Sequence, residues 1–307
     1  MPTYTFTTFD DPDAGSFGTI FTSVNNYGVA AGYFQDASGT EHGVIYYNGN
    51  YTNISDPNAA SGSYLGISIS SINDYGVVAG NYFDSSETAH GFLYSNGSFT
   101  EIDDPNAGSG NNPFLSHGGT IVVRINNSGE LAGSYVDSAG TAHGFIYSDG
   151  NYTNISDPNA GTEGTYIESI SESGAVAGFY FDNSGTAHGY IYANGSFTEI
   201  DDANAGSRGT FVFAINASDE VAGYYFDNTD RRFTALLIIT GALRTLTIPM
   251  RALAGQQLRR SMLQVRSLGS ILATTPTLIM ALSTAMANLQ TLPIQILSTG
   301  VTPTSNQ

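Results

Sequence analysis

The sequence predicts an all-β fold, and within that class a β-propeller of about five four-stranded blades, followed by a tail that lies outside the propeller. The first observation is a hairpin pattern, in which two short runs of aromatic and β-branched residues flank an Asn-Gly or Asp-Gly pair that suits a type I′ turn. The second is the spacing of 48, 53 and 45 residues between equivalent aromatics, which is the size of one blade. The hairpins span His42–Pro57, His90–Pro105, Ala142–Pro158 and His188–Ala203.

Two further strands are predicted before each hairpin, joined by a turn in which Asn forms an Asx-turn and Gly supplies a positive φ. A lone four-stranded sheet cannot bury both faces, so the units are expected to stack around an axis; an open β-solenoid is the alternative. Strand one is predicted at Gly18–Val24, Ile67–Ile72, Thr120–Ile125, Thr165–Ile170 and Thr210–Ile215. Strand two is predicted at Val29–Phe34, Val77–Phe83, Leu131–Val136, Val176–Phe181 and Val221–Phe226.

Strand two of every unit contains an Ala-Gly pair, as at Ala31-Gly32. A glycine weakens a strand unless a neighbour must come close to it. We therefore expect adjacent sheets to pack tightly at these pairs, with the aromatic residues of the last two strands filling the space between blades.

A change in composition divides the chain near residue 230. All 27 acidic residues lie before this point, whereas residues 231–307 contain none, and such a break marks a new segment. We expect residues 231–307 to be a disordered or poorly packed tail, in which the apolar run Ser267–Leu292 is too rich in Ser and Thr for a membrane span. The tandem repeats occupy residues 1–230, in units near 4–50, 51–98, 99–151, 152–196 and 197–230.

The tail is best explained as a sixth repeat that is read out of frame. Thr234–Ala252 aligns without gaps to His90–Gly108 when the reading frame is moved by one base. In that frame Thr234-Ala235-Leu236 becomes His-Gly-Phe, and Ser261–Val265 can become Ile-Asn-Ala-Ser-Gly. The hypothesis is that residues from about Arg232 onward are such a reading, and that the native ring holds at least six blades.

The charge balance excludes one class of partner. The chain has 27 acidic residues against 9 basic ones, all of them Arg, and a net charge of −18. Nothing in this composition would neutralise phosphates, so nucleic acid is not expected as a partner.

The chain has no Cys, so it contains neither disulfides nor Cys-metal sites. No charged and apolar leader precedes the repeat strand at Tyr4–Asp10, which leaves the export route open.

Four histidines occur once per unit. A ring of imidazoles could bind a metal or a ligand, but equivalent positions on different blades lie far apart unless they face the central channel. We therefore expect structural repeat residues, each satisfying a backbone group at the start of its own strand. They are His42, His90, His143 and His188.

Acidic turns are the candidates for calcium, an ion that takes six to eight oxygen ligands. The spacing does not match an EF-hand loop, and Asp-Pro-Asn-Ala-Gly is ordinary turn chemistry. We expect no cofactor, with calcium as the alternative. The calcium candidates are Asp103, Asp104, Asp201 and Asp202.

Catalysis has no signature in the sequence, which lacks Gly-x-Ser-x-Gly, His-Glu-x-x-His and a phosphate loop. Some propellers are glycosidases that use two carboxylates. The acids that break the repeat are Glu163, Glu168 and Glu172, and a solvated blade edge explains them more simply.

Three strings carry a resemblance to a known family: Thr-Ala-His-Gly-Phe-Ile-Tyr at 141–147, Tyr-Thr-Asn-Ile-Ser-Asp-Pro-Asn-Ala-Gly at 152–161 and Ile-Ser-Glu-Ser-Gly-Ala-Val-Ala-Gly-Phe-Tyr at 170–180. The chain from Tyr4 to about Asp230 resembles the bacterial HAF-type extracellular repeat, with His-Gly-Phe as a variant of that family's triplet. The resemblance implies a secreted or surface-exposed protein with propeller-like repeats, and it carries over no catalytic residue.

The sequence thus favours a non-catalytic secreted or surface repeat protein that acts as a binding or scaffold module for a glycan or a protein. Exposed tyrosines in loops, Tyr27 and Tyr75, are the candidate anchors for the ligand. The alternatives are a propeller-type glycoside hydrolase or lyase and a structural segment of a larger adhesin. The oligomeric state is left open.

Overall fold

The computed structural model describes residues 8–62, 65–110, 112–115 and 117–228, together with the backbone of residues 233–239 and 242–247. This part of the chain forms twenty strands in five antiparallel sets of four, blades 1 to 5, within one compact unit.

Blade 1 consists of β1 (Thr19–Val24), β2 (Ala30–Gln35), β3 (Glu41–Tyr47) and β4 (Asn50–Ile54). Blade 2 consists of β5 (Ile67–Ile72), β6 (Val78–Phe83), β7 (Ala89–Ser95) and β8 (Ser98–Ile102). Blade 3 consists of β9 (Gly119–Ile125), β10 (Leu131–Val136), β11 (Ala142–Ser148) and β12 (Asn151–Ile155). Blade 4 consists of β13 (Gly164–Ile170), β14 (Val176–Phe181), β15 (Ala187–Ala193) and β16 (Ser196–Ile200). Blade 5 consists of β17 (Ala205–Ile215), β18 (Val221–Asp227), β19 (Phe233–Ile239) and β20 (Ala242–Thr247).

The blades follow one another around their first strands. Within each blade the strands lie side by side in chain order, and strand one of each blade contacts strand one of the next. A single parallel pair also joins the start of strand three of a blade to a glycine just before, at the start of, or within the next strand one. Four-stranded antiparallel blades arranged in this way define a β-propeller, and the predicted fold class is confirmed. The parallel pairs are Glu41↔Gly66, Ala89↔Gly119, Ala142↔Gly164 and Ala187↔Gly209.

The Ala-Gly pairs of strand two differ from expectation, because the two residues contact different partners. Ala31 lies in the apolar cluster shared with blade 2, as expected for contact between sheets. Gly32 instead faces its own blade: a Cβ there would lie 2.0 Å from the carbonyl oxygen of Ile20, beside the β-bulge of β1. The glycine that approaches the next blade is in the His-Gly pair, since a Cβ on Gly144 would lie 2.8 Å from the Ile167 side chain.

The space between neighbouring blades is filled by aromatic side chains of strands three and four, as predicted. Phe92 is fully buried in the cluster between blades 1 and 2, and Phe145 occupies the equivalent place between blades 2 and 3. Tyr190 is buried at the equivalent place between blades 3 and 4, where its hydroxyl donates to the carbonyl oxygen of Tyr166. Blades 2 to 4 each pack on the preceding blade in this way, and a further aromatic cluster that includes Tyr166 and Phe211 is shared by blades 4 and 5.

The blade boundaries differ from the sequence units, because each unit starts at strand four of one blade and ends within the next. Blade 2, for example, spans residues 67–102, against the predicted unit 51–98. At the other end, β19 and β20 lie beyond residue 230 and continue blade 5, since β19 pairs with β18 and β20 pairs with β19. The propeller therefore extends past the predicted boundary to Thr247, since the β-branched and apolar residues of this stretch favour strands.

The remainder of the predicted tail, residues 248–307, lies outside the described residues, and so does the apolar run Ser267–Leu292. Among the described residues, no helix has the length and hydrophobicity needed to cross a membrane.

Candidate functional site

The sequence candidates lie at opposite ends of the blades. Successive strands run in opposite directions, so the turns after strands one and three lie at one end, and the turns after strand two and the linkers to the next blade lie at the other. Tyr27 and Tyr75 lie on turns after strand one, whereas His90 and Asp103 lie at the linker end. We call the first surface the inner-turn face, formed by residues 25–28, 73–76, 126–129, 171–174 and 216–219.

Each tyrosine of the inner-turn face is held on a rigid Asx-turn. The backbone N–H groups of Tyr27 and Val29 both donate to Oδ1 of Asn25, at 3.0 Å. Tyr75 and Val77 make the same two bonds to Asn73. Because Asn accepts locally in this way, the turn is fixed by its own sequence and presents the residue after it to solvent.

The same asparagines connect successive turns through their other side-chain atom. Asn25 Nδ2 donates to the carbonyl oxygen of Asn73 at 3.1 Å. Asn73 donates in turn to Asn126 at 3.2 Å, and Asn126 donates to Ser171 at 3.1 Å. The turns of blades 1 to 4 therefore form one hydrogen-bonded row.

Asp74 lies at the centre of this row. Its carboxylate accepts from the backbone N–H of Asn26 at 2.9 Å and from the side-chain amides of Asn26 and Asn127, both at 2.8 Å. Its own backbone N–H donates to Asn127 at 2.8 Å. The N–H of Asn26 is the main cause of a lowered pKa at Asp74, so this carboxylate stays ionised in mildly acidic solution.

The rings of Tyr27 and Tyr75 project from this row into solvent, with exposed fractions of 70% and 79%. They occupy equivalent positions on adjacent blades, where the next three blades carry serines. Two exposed aromatic faces beside amide and carboxylate groups form a surface that can stack on an apolar ring face and hydrogen-bond to hydroxyl groups at its rim. The equivalent serines are Ser128, Ser173 and Ser218.

At the linker end, His90 belongs to a hydrogen-bonded cluster within blade 2. Its Nδ1 lies 2.6 Å from Oδ2 of Asp103, and its Nε2 lies 3.7 Å from Asp84. Its ring stacks on Tyr82 at 4.9 Å between centroids, and the Tyr82 hydroxyl donates to Glu101 at 3.0 Å.

The contacts of His90 raise its pKa. Burial alone would lower this pKa, but the hydrogen bond and charge of Asp103 outweigh burial. Burial also raises the pKa of Asp103 itself.

Blade 4 repeats this cluster, whereas blades 1 and 3 carry a reduced form of it. His188 is held between Asp201 and Asp182, and it stacks on Tyr180, whose hydroxyl donates to Glu199 at 3.1 Å. In blade 3, Ser156 and Asn154 take the places of the aspartate and the glutamate. In blade 1, His42 lies 3.1 Å from Asp36.

The four repeat histidines thus interact with carboxylates rather than with backbone groups, which corrects the expected partner. In every blade from 1 to 4 an aspartate of the turn after strand two lies within 4 Å of the histidine Nε2. That aspartate also accepts backbone N–H groups of its own turn, as Asp84 does from Ser86 and Thr88. The motif therefore ties the turn to strand three within a single blade.

The blade 2 cluster has the donor atoms for a divalent cation. His90, Glu101 and Asp103 each offer one ligand atom, and these atoms lie within 4.8 Å of one another. Oδ1 of Asp103 is buried without a hydrogen-bond partner, beside a cleft of about 240 Å³ lined by His90, Asp103, Asp104 and Thr120. One imidazole nitrogen with two carboxylates is a donor set for zinc or manganese, whereas calcium takes oxygen ligands alone.

The paired aspartates predicted for calcium have separate roles. Asp104 is buried, accepts from the backbone and side chain of Asn106, and donates its backbone N–H to Thr120. Asp202 repeats the turn in blade 4 through Asn204. Asp103 and Asp201 instead contact the histidines. The first aspartate of each pair belongs to the cluster and the second to the linker turn.

The irregular acids of blade 4 do not form a catalytic pair. Glu163 precedes β13 and Glu172 follows it, so at about 3.3 Å per residue they are about 30 Å apart. Glu168 lies within β13, at least about 13 Å from either along the strand. A glycosidase needs carboxylates roughly 5 to 10 Å apart. Glu172 has a structural contact, since its Oε2 accepts from the backbone N–H of Asn127.

Sequence reasoning missed the role of the long insertion before β9. Its Phe114 packs edge-on against Tyr166, Phe179 and Phe181, at 5.0, 5.2 and 5.9 Å between centroids. Asn112 fixes this segment by accepting from the backbone N–H groups of Phe114 and Leu115. The signal available in the sequence was an apolar Phe-Leu pair inside an otherwise polar loop.

No family model matches the sequence, and no curated protein does. Among solved structures, the chain is similar to the fucose-specific lectin from Aleuria aurantia, with 13% identity over 79% of this chain and 82% of that one and a TM-score of 0.47. It is also similar to AofleA from Arthrobotrys oligospora, with 11% identity over 76% and 72% and a TM-score of 0.44. A third is Trypanosoma rangeli sialidase, with 10% identity over 83% and 58% and a TM-score of 0.37. These are likenesses of fold alone.

Proposed function

We propose that this protein is a non-catalytic binding module whose inner-turn face takes a neutral glycan. The observation that carries the proposal is the pair of tyrosines, Tyr27 and Tyr75, which are exposed on adjacent blades although their turns are fixed by hydrogen bonds. Large aromatic rings held in solvent serve no packing purpose, and exposed aromatics on a rigid scaffold are typical of binding surfaces.

The chemistry around the rings favours a sugar over other ligands. Amides of Asn26 and Asn127 and the Asp74 carboxylate flank the tyrosines and can exchange hydrogen bonds with hydroxyl groups. The net charge of −18 disfavours anionic ligands such as sulfated or phosphorylated glycans. A protein partner would need about 800 Å² on each side for a stable interface, which is much more than two tyrosine rings supply.

A glycan array with the labelled protein, followed by calorimetry on each hit, tests the proposal. The panel includes fucosides, because fucose is the ligand named for one of the similar lectins. We expect binding of a neutral glycan, and Tyr27→Ala or Tyr75→Ala to weaken it about tenfold, the equivalent of one lost stacking contact. Tyr47→Ala is the matched control, since Tyr47 is also exposed but lies on the outer hairpin of blade 1. No hit on the array, or equal binding by all three variants, would overturn the proposal.

A second candidate role is binding of a divalent cation at His90, Glu101 and Asp103. It is supported by the partnerless Oδ1 of Asp103 and by the mixed nitrogen and oxygen donors. Zinc binding measured by calorimetry, with Asp103→Asn as the variant, tests it. His143, which faces Ser156 in the same place, gives the control through His143→Gln.

We also propose that the protein is secreted or displayed on a bacterial surface, as a free module or as a segment of a larger adhesin. This proposal is supported by the resemblance to the HAF-type extracellular repeat and by the acidic, lysine-free composition. Fractionation of the producing cells tests it: recovery in the medium or by surface labelling supports the proposal, and recovery in the cytoplasm contradicts it.

A further inference from the structure

The segment that forms strand four and enters the linker occurs in two versions. On blades 2 and 4 it reads Phe-Thr-Glu-Ile-Asp-Asp, at 99–104 and 197–202. On blades 1 and 3 it reads Tyr-Thr-Asn-Ile-Ser-Asp, at 51–56 and 152–157. The glutamate and the first aspartate therefore occur together or not at all, whereas the second aspartate is present in all four blades. This joint change indicates that the two carboxylates serve one shared purpose on blades 2 and 4.

On both blades these two carboxylates converge on the histidine of strand three. Nδ1 of His90 lies 2.6 Å from Oδ2 of Asp103, and His188 makes the equivalent contact with Asp201. The glutamate supplies a third atom close to the other two. One ligand atom from each of three residues lies within 4.8 Å of the others in two sets, His90, Glu101, Asp103 and His188, Glu199, Asp201.

Neighbouring side chains hold these ligands in place. The Tyr82 hydroxyl donates to Glu101 at 3.0 Å. On the other side of the imidazole, Nε2 of His90 lies 3.7 Å from Asp84. A carboxylate behind the second ring nitrogen is the usual partner of a histidine that binds a metal, because it fixes the ring and its tautomer. Blade 4 repeats both contacts through Tyr180 and Asp182.

Blade 3 keeps the structural contact of its histidine but has no such set of carboxylates. Nε2 of His143 lies 3.3 Å from Asp137, as expected for the contact with the turn after strand two. Its Nδ1 instead lies 2.9 Å from the hydroxyl of Ser156, and Asn154 donates to the Tyr135 hydroxyl at 2.6 Å. The histidine therefore serves the fold without the carboxylates, so the fold does not explain why blades 2 and 4 carry them.

The two carboxylate sets differ in one oxygen atom. Oδ1 of Asp103 is buried and has no hydrogen-bond partner in the described part of the chain, and His90 and Asp103 both line the adjacent cleft. On blade 4, Oδ1 of Asp201 accepts from the backbone N–H of Gly189 at 3.3 Å. A buried acceptor without a partner is costly, and a bound cation would satisfy it. A cation therefore gains more on blade 2 than on blade 4.

We propose that the protein has two zinc-binding sites of the same arrangement, one on blade 2 and one on blade 4. The blade 4 site is a separate inference, whereas the blade 2 site rests on the cation role proposed above. One imidazole nitrogen and two carboxylate oxygens are ligands that zinc accepts, and three protein ligands leave a position for water. The blade 2 site binds about tenfold more tightly, the equivalent of one satisfied buried oxygen.

Calorimetry of the full chain with zinc chloride, after treatment with a chelator, tests both sites. Two ions per chain are expected, and Asp103→Asn and Asp201→Asn are each expected to leave one, with melting temperatures to show that the variants fold. Unchanged stoichiometry in Asp201→Asn overturns the blade 4 site and leaves the blade 2 role intact. Unchanged stoichiometry in Asp103→Asn overturns the blade 2 role, and no zinc binding overturns both. Glycan binding enters none of these readouts.

A gain of binding on blade 3 tests the ligand set without removing any native contact of blades 2 and 4. Asn154→Glu combined with Ser156→Asp gives blade 3 both carboxylates beside His143, so a third zinc ion is expected. The matched control adds His143→Gln, which keeps the new charges but removes the imidazole, and two ions are expected there. A third ion in the control would show unspecific binding to carboxylates and overturn the assignment. Only two ions in the double variant would contradict it as well.

Discussion

Asp74 accepts two hydrogen bonds from Asn26 of the preceding blade, 2.9 Å from its backbone nitrogen and 2.8 Å from its side-chain amide. This contact couples the turn that carries Tyr27 to the turn that carries Tyr75. The proposed glycan surface therefore depends on relations between blades as well as on the two rings. A ligand that spans both tyrosines meets a surface that is already ordered, which lowers the entropic cost of binding.

Removal of the Asp74 carboxylate should weaken glycan binding more than it weakens the fold. Asp74→Ala frees the Asn26 and Asn127 amides, so we expect affinity to fall several-fold while the free energy of unfolding falls by about 1 kcal/mol or less. Calorimetry and thermal melting on the same preparation check both quantities. Asp13→Ala is the control that should leave affinity unchanged, because Asp13 is exposed and precedes β1, at the linker end of blade 1. Equal affinity of Asp74→Ala and the original chain would contradict a coupled surface.

A third tyrosine should extend the surface. Ser128 lies on the blade 3 turn at the position that Tyr27 and Tyr75 occupy, and it is exposed. Ser128→Tyr is therefore expected to raise affinity for longer glycans and to leave affinity for monosaccharides unchanged. Calorimetry with a glycan series of increasing length measures this. A loss of affinity for every length would indicate that the ligand needs the space at Ser128.

The His90 cluster should make stability depend on pH. The pKa of His90 is raised in the fold, chiefly by Asp103 acting against burial, so its contribution is complete below its ordinary value of 6.5 and is lost as pH rises through the raised value. The raised pKa of Asp103 acts in the same direction, because ionisation of this buried carboxyl disfavours the fold. Melting temperatures between pH 5 and 9 should fall less steeply for His90→Gln than for the original chain. His143→Gln, which lacks the second carboxylate partner, should change the slope less.

Removal of metal ions should distinguish the binding activities at the two ends of the blades. Glycan binding at the inner-turn face should be insensitive to EDTA, because the clusters with metal-ligand geometry lie at the linker end. Calcium measured by elemental analysis should be below one ion per chain, since Asp104 and Asp202 are used by linker turns. Glycan binding that is abolished by EDTA and restored by calcium would contradict this assignment.

Two glycines with similar backbone angles should respond differently to alanine. Gly185 has a φ of 79° and open space around it, so Gly185→Ala is expected to cost about 1 kcal/mol from backbone strain alone. Gly164 has a φ of 89°, and a Cβ there would lie 2.0 Å from the carbonyl oxygen of Ala142 in the preceding blade. Gly164→Ala should cost about 3 kcal/mol or more in chemical denaturation, because the inter-blade pair must open. Equal costs would indicate that this close approach does not hold the blades together.

The strands could be predicted closely from the sequence because hairpin turns and alternation are local signals. The order of strands one and two followed by the hairpin also matches the blades, whereas the sequence units were cut at strand four, because β4 carries no local mark of where a blade ends. The Ala-Gly pairs predicted a close approach between adjacent sheets, whereas Gly32 closely approaches its own blade, beside the β-bulge at Phe21–Ser23.

The candidate sites could likewise be predicted only in part from the sequence. The exposure of Tyr27 and Tyr75 follows from their turns and could be anticipated, whereas the hydrogen-bonded row beneath them joins residues about 48 positions apart. The division of Asp103 and Asp104 between two roles also escapes a sequence argument, because neighbouring residues of identical type point to different partners. A difference visible in the sequence is the change from Glu101 to Asn154 at the same strand position.

The central claim, that Tyr27 and Tyr75 form a glycan surface, is tested most directly by NMR of the protein with carbon-labelled tyrosine rings during titration with a glycan hit from the array. The account predicts shifts confined to the ring signals of Tyr27 and Tyr75, assigned by their phenylalanine variants, while Tyr47 and the cluster tyrosine Tyr82 stay unchanged. Shifts centred on Tyr82, or saturable binding that moves neither exposed ring, would contradict it.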